Sequence, residues 1–129
     1  MNLEITALYA ALLGVLFIFL SFMVSKNRMR THVSLGDGSD EGLVQAIRAH
    51  GNFAEYVPMA LLLLGLVEVQ GAAPGLVHGL GAALLLGRMM HAWGITQPKA
   101  VNAGRKFGTI ITWLMIVAAS VYLLIAVLA

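Results

Sequence analysis

Two stretches of this chain leave the fold little freedom. Residues 5–24 and 107–129 contain no charged side chain. Each is long enough to cross the roughly 30 Å hydrocarbon core of a bilayer as a helix of ~20 residues. In lipid every backbone N–H and C=O must find its partner within the protein, so only helices and closed barrels can span. Continuous apolar runs of this length, without alternation, select the helix. Two further apolar stretches lie at about 56–70 and 73–95, separated by Gln70-Gly71-Ala72-Ala73-Pro74-Gly75. That linker has the chemistry of a tight helix–helix connection, with Pro74 tolerated in a first turn. The fold class is therefore all-α, an integral membrane four-helix bundle. Its helices are expected at about 3–26, 41–69, 74–95 and 106–128, in one domain over 1–129.

Composition agrees with that class. Hydrophobic residues make up 60% of the 129 and charged residues only 11%, with a mean hydropathy of +0.88. Soluble domains carry about 25% charged residues. With no cysteine in the chain, disulfides, thiolate metal sites and a cysteine nucleophile are excluded. The net charge is only +2, and the basic residues gather at the expected membrane edges, where topology explains them better than nucleic acid does. The first residues carry Glu4, no basic region and no small-residue cleavage site, so a retained helix is expected there and not a signal peptide.

The second helix is unusual. Ser39, Asp40 and Glu41 form an N-cap and acidic first turn. A helix over 41–69 would be on the order of 43 Å long at 1.5 Å per residue, longer than the hydrocarbon core. Its first turns are expected outside the lipid, with Arg48 near the interface and Glu55 deeper. Pro58 inside it predicts a local kink. Loop 1–2 holds Lys26, Arg28 and Arg30, loop 3–4 holds Lys99, Arg105 and Lys106, and loop 2–3 holds no basic residue. The positive-inside rule then places both basic loops in the cytoplasm and both termini outside. Gly36-Asp37-Gly38 marks a turn in loop 1–2.

Arg48, Asn52 and Glu55 follow an i, i+4, i+7 spacing and share one helix face. A charged stripe at the mouth of a membrane helix must face protein, water or a ligand. A guanidinium fork, an amide and a carboxylate suit a zwitterionic ligand; they also suit an internal network that holds helices together. Arg88 and His91 are neighbours on the third helix. Glu55 is the expected partner of Arg88, either as an inter-helix ion pair or beside a bound ligand. His50 falls off the stripe and reads as an interfacial or packing residue. His78 lies near the opposite membrane face and reads as structural. With His32, His50, His78 and His91 scattered, no metal site is expected. Arg28, Arg30, Arg105 and Lys106 suit topology and headgroup contact, or some of them turn inward around an anion cavity. An arginine beside a bound thiol would favour the thiolate. Tyr9, Trp93, Trp113 and Tyr122 suit interfacial belts or packing, and Gly75, Gly79, Gly81 and Gly87 suit close helix approach.

These residues resemble the membrane-associated proteins in eicosanoid and glutathione metabolism, the MAPEG family. The likeness covers nearly the whole chain: the four-helix layout, Arg-Ala-His-x-Asn-x-x-Glu at 48–55, the following Pro58, and Gly-Arg-x-x-His at 87–91. The run 52–58 looks most like the small bacterial members. The resemblance implies a homotrimer with sites between neighbouring subunits, each holding a bent glutathione in a cytoplasm-facing cleft. It implies that Arg48, Asn52 and Glu55 hold the charges and amides of the tripeptide. It further implies Arg88 in the cleft floor, His91 beside the tripeptide, Arg28 lining the site, and Arg105 next to the sulfur as the catalytic residue. The sequence departs from the family pattern where Gly51 replaces a second Arg and where Ile95 and Thr109 replace tyrosines. These departures count against eicosanoid chemistry. The expected function is a membrane glutathione transferase acting on hydrophobic electrophiles in a bacterial inner membrane, with glutathione as co-substrate and the bilayer and its own copies as partners. The alternatives are a non-catalytic binder of glutathione or a small anion, and a small four-helix transporter.

Overall fold

The computed structural model describes residues 2–98 and 102–129, and among these only helices and their connections occur. The four helices are α1 (Glu4–Thr31), α2 (Glu41–Val69), α3 (Pro74–Ile95) and α4 (Ala103–Leu128). α2 and α3 have the bounds that the apolar pattern and the Pro74 linker predict. α1 runs further than expected, so Lys26, Arg28 and Arg30 lie on its last turns and not in a loop. Two local causes hold that extension. Basic side chains favour the negative end of the helix dipole, and the helix stops only at His32, a left-handed C-cap whose N–H donates to the Arg28 carbonyl. α4 starts earlier than expected because the Asn102 side chain accepts from the Arg105 N–H at 3.0 Å, an N-cap. Lys99, counted above in loop 3–4, lies outside the described residues.

α1, α2 and α4 are each long and apolar enough to cross a membrane. α3 is not among them: Arg88, His78, His91 and its glycines dilute an otherwise apolar helix. Instead it is a core element, packing against all three other helices, while α1 and α4 never meet among the described residues. α2 and α3 thus form the short diagonal of the bundle. α2 continues unbroken through Pro58.

α1 and α2 are joined at each end by a charged contact. At one end, Arg30 pairs with Asp40 at 2.6 Å, and Asp40 also caps α2 by accepting from the Leu43 N–H at 2.8 Å. The guanidinium holds the Asp40 carboxyl below the ordinary carboxylate range, with the Leu43 amide adding to the effect. The contribution of the ionised form to stability is therefore present above the unfolded-state pKa and is lost as pH falls through the lower folded value. Protonation of Asp40 is expected to release the Arg30 contact. The Leu43 amide proton shift should titrate below the usual aspartate range, and Asp40→Asn should abolish that titration.

At the other end, Leu3 at the N-cap of α1 makes no side-chain cap. Glu68, on the last turn of α2, supplies it: its Oε1 accepts from the Ile5 N–H at 2.9 Å and its Oε2 from the Thr6 N–H at 2.7 Å. A carboxylate on the free amides of a helix start satisfies orphan donors and complements the dipole. Glu68→Ala is expected to cost ~1–2 kcal/mol, with Glu68→Gln losing less, as read by equilibrium unfolding in mixed micelles.

Candidate functional site

The predicted site residues gather at the end of the bundle that holds the α1 C-terminus, the α2 and α4 N-termini and the end of α3, but they divide between two environments. Arg88 and His91 are buried, at 2% and 3% exposure. Arg48 and Glu55 are exposed on the outer face of α2, with Asn52 half-buried between them and the core.

The expected pairing of Arg88 with Glu55 does not occur. No hydrogen bond or ion pair joins them among the described residues. The Nη1 of Arg88 instead donates to Asn52 Oδ1 at 2.6 Å, and its Cζ lies 5.8 Å from the centre of the Tyr56 ring. The reason is geometric. Asn52 and Tyr56 are one turn apart on the inner flank of the stripe, whereas Glu55 points to the outside of α2. Tyr56 is a site residue the sequence reading did not single out, although its i+4 spacing from Asn52 was visible. Nε and Nη2 of Arg88 are buried without a partner among the described residues.

Fixing the Asn52 oxygen has a chemical consequence. With its oxygen accepting from Arg88, the Asn52 amide has its NH2 left as a donor. Arg88 thus orients the stripe from behind and does not reach a surface ligand itself. Gly51 lies on the same stripe, between Arg48 and Glu55, and a Cβ there would meet nothing within 4 Å. The stripe therefore has open space between its two charges.

Arg28 and Arg48 line one hollow of about 260 Å³, together with Gly36, Asp37, Val44 and Ile47. Arg28 also holds the wall of that hollow, its Nη1 donating to the carbonyls of Val33 at 3.3 Å, Ser34 at 3.3 Å and Gly36 at 2.9 Å. His91 sits among cations, with Arg88, Arg105 and Arg48 all within electrostatic reach. Arg105 lies in the first turn of α4, where the helix dipole adds to its positive charge. Thr109 spends its hydroxyl on the Arg105 carbonyl at 3.0 Å, and Ile95 is buried. His50 stacks on Phe17 with ring centres 4.9 Å apart, a packing role as expected. His78 accepts or donates at Tyr9 Oη, 3.3 Å away, at the far end of the bundle.

α3 and α4 approach closely enough to hold this geometry because glycines face each other. The described contacts are Gly87 with Gly108 and Gly94 with Gly104. Gly104 and Gly108 form a G-x-x-x-G spacing that the sequence reading overlooked. Of the glycines it did select, Gly81 receives the Tyr9 ring and Gly87 meets α4, but Gly75 and Gly79 face open space.

A family profile described as the MAPEG family matches residues 6–125 of the chain. The chain belongs to the MAPEG family. This MAPEG chain is also 40% identical over 109 residues to the inner membrane protein YecN of Escherichia coli K12, covering 84% of this chain and 82% of the relative. The same protein from Escherichia coli O6:H1 (strain CFT073) matches to the same extent. Family and relatives agree with the helices in assigning this MAPEG chain to a membrane.

Proposed function

We propose that the chain is a membrane glutathione transferase that joins the thiolate of glutathione to hydrophobic electrophiles at a site built on the α2 stripe. The observation that carries the reading is the oriented set Arg48, Asn52 and Glu55. A cation, an amide donor fixed from behind by Arg88, and an anion follow one another along a membrane helix with open space at Gly51. Glutathione offers the complementary sequence of carboxylates, amides and an ammonium. Arg48 would grip a carboxylate, Asn52 would donate to a carbonyl, and Glu55 would take the ammonium. Arg28 would contribute positive charge from the hollow it shares with Arg48, and His91 would lie beside the ligand.

Arg105, reinforced by the positive end of α4, is the residue proposed to stabilise the thiolate. The sulfur lone pair then forms a C–S bond to the electrophilic carbon of a lipid-dissolved substrate. The bond from that carbon to its leaving atom breaks, the electron pair departs with the leaving atom, and water supplies any proton it needs. Holding thiolate and substrate together supplies proximity. In this reading α3, packed against the other three helices, crosses the bacterial inner membrane with them, the site faces the cytoplasm, and a homotrimer covers the outer face of α2, because an exposed Glu55 within a membrane helix is costly against lipid.

A second reading, a glutathione binder without turnover, is favoured by buried Ile95 and by the engaged Thr109 hydroxyl. Calorimetry on the detergent-purified protein separates the readings. Saturable glutathione binding that Arg48→Ala abolishes is expected, and Arg105→Ala should cut conjugation far more than binding. Binding without conjugation of any electrophile selects the second reading, and no binding by folded protein removes both.

A further inference from the structure

α1 and α3 touch at one end and part at the other. Tyr9 packs on Gly81 and bonds His78, closing the gap there. Further along, the helices separate into a groove of about 550 Å³ that runs from Leu16 to Asn27 on α1, with Ala46 and Ala49 of α2 as its floor. Phe19, Met89 and Trp93 form its lips and are themselves exposed. Met89, Ala92, Trp93 and Thr96 make one stripe of α3, distinct from the Arg88–His91 stripe that faces the site.

The length and polarity of the groove point to its occupant. Twelve residues of helix, from Leu16 to Asn27, give the groove a length of about 16 Å, and its 550 Å³ accepts an extended hydrocarbon chain. Polarity runs along the groove in the same sense as a lipid. Its polar lining residues, Asn27, Gln45 and Thr96, are all at the end that carries the basic residues. At that rim Lys26 is exposed, and Arg30, held through Nη2 by Asp40 and Asn27, keeps Nη1 without a bond among the described residues. Cations at a membrane surface attract phosphate headgroups.

We propose that this groove holds one acyl chain of a bilayer phospholipid, with the phosphate at the Lys26–Arg30 rim. The site is separate from the α2 stripe and does not depend on glutathione. Its test uses Trp93 as reporter. Delipidated full-length protein carrying Trp113→Phe is titrated in detergent with phosphatidylglycerol brominated on its chains. Quenching of Trp93 should saturate at one lipid per chain. Ala49→Leu and, on the opposite wall, Ala92→Leu should each raise the half-saturating concentration about tenfold, the loss from two methylenes that no longer bury. Two variants on different helices guard against one that fails to fold. Non-saturating quenching, the same for Trp113 in a Trp93→Phe protein and unchanged by the leucines, means annular lipid only and overturns the proposal. Saturation by a brominated fatty acid but not by the phospholipid overturns the assignment to phospholipid. Trp93 shielded from both, with α1 of one copy cross-linking to α3 of another, gives the groove to a second copy and overturns it as well.

Discussion

Replacing Asn52 with alanine is expected to destabilise the protein by ~2–3 kcal/mol, more than replacing its larger and charged partner, Arg88→Met. Arg88 is buried, and its described hydrogen bond is to Asn52. Asn52→Ala therefore strands a guanidinium in the core, with Tyr56 alone beside it. Arg88→Met removes the charge and keeps an apolar chain of similar length. Exchanging buried charged groups for packed apolar ones is often neutral or stabilising. The double variant should have the stability of Arg88→Met, which makes the coupling explicit in a double-mutant cycle. Equilibrium unfolding in mixed micelles measures all three. Equal losses for the two single variants would show that Arg88 contributes packing more than charge. On the proposed function, Arg88→Met should still weaken glutathione binding, because it frees the Asn52 amide to rotate while the fold stays intact.

Gly108→Ala and Gly94→Ala should each cost ~3 kcal/mol, the upper end of what overpacking costs. A Cβ at Gly108 would lie 2.5 Å from the Gly87 carbonyl oxygen and 2.6 Å from the His91 nitrogen, and one at Gly94 would fall on the backbone nitrogen of Arg105. These neighbours are main chain and cannot turn aside, so α3 and α4 must separate. Gly79→Ala is the control. Its Cβ meets nothing within 4 Å, and alanine in place of a helical glycine should gain up to ~1 kcal/mol. Thermal unfolding ranks the three. Because His91 and Arg105 flank these glycines, Gly108→Ala and Gly94→Ala should also disturb the site, whereas Gly79→Ala should not.

Much of this molecule was legible before its structure. The charge-free runs and the Pro74 linker located the helices, and Asp40 announced the start of α2. The stripe at 48–55 and the Arg88–His91 pair did come to one end of the bundle. What failed to show were the partners. Glu55 was matched to Arg88 on charge alone, whereas the rotation of α2 about its own axis turns Asn52 inward and Glu55 outward. Glu68 caps a helix that begins 64 residues before it in the sequence, a contact that no local signal marks. Gly79 and Gly108 are the same residue type in similar apolar helices, and only one of them touches another backbone.

The sequence by itself determined the class of this protein, four helices for a membrane, because apolar length and helix-end signals are local properties that the bilayer turns directly into structure. It also determined which residues were too polar to face lipid. The tertiary structure alone decided which of them met, because a contact depends on helix rotation and on approach distances set by glycines on a different helix. That is why Arg88 serves Asn52 from behind and α1 and α3 part to leave a groove, two facts that no spacing in the sequence encodes.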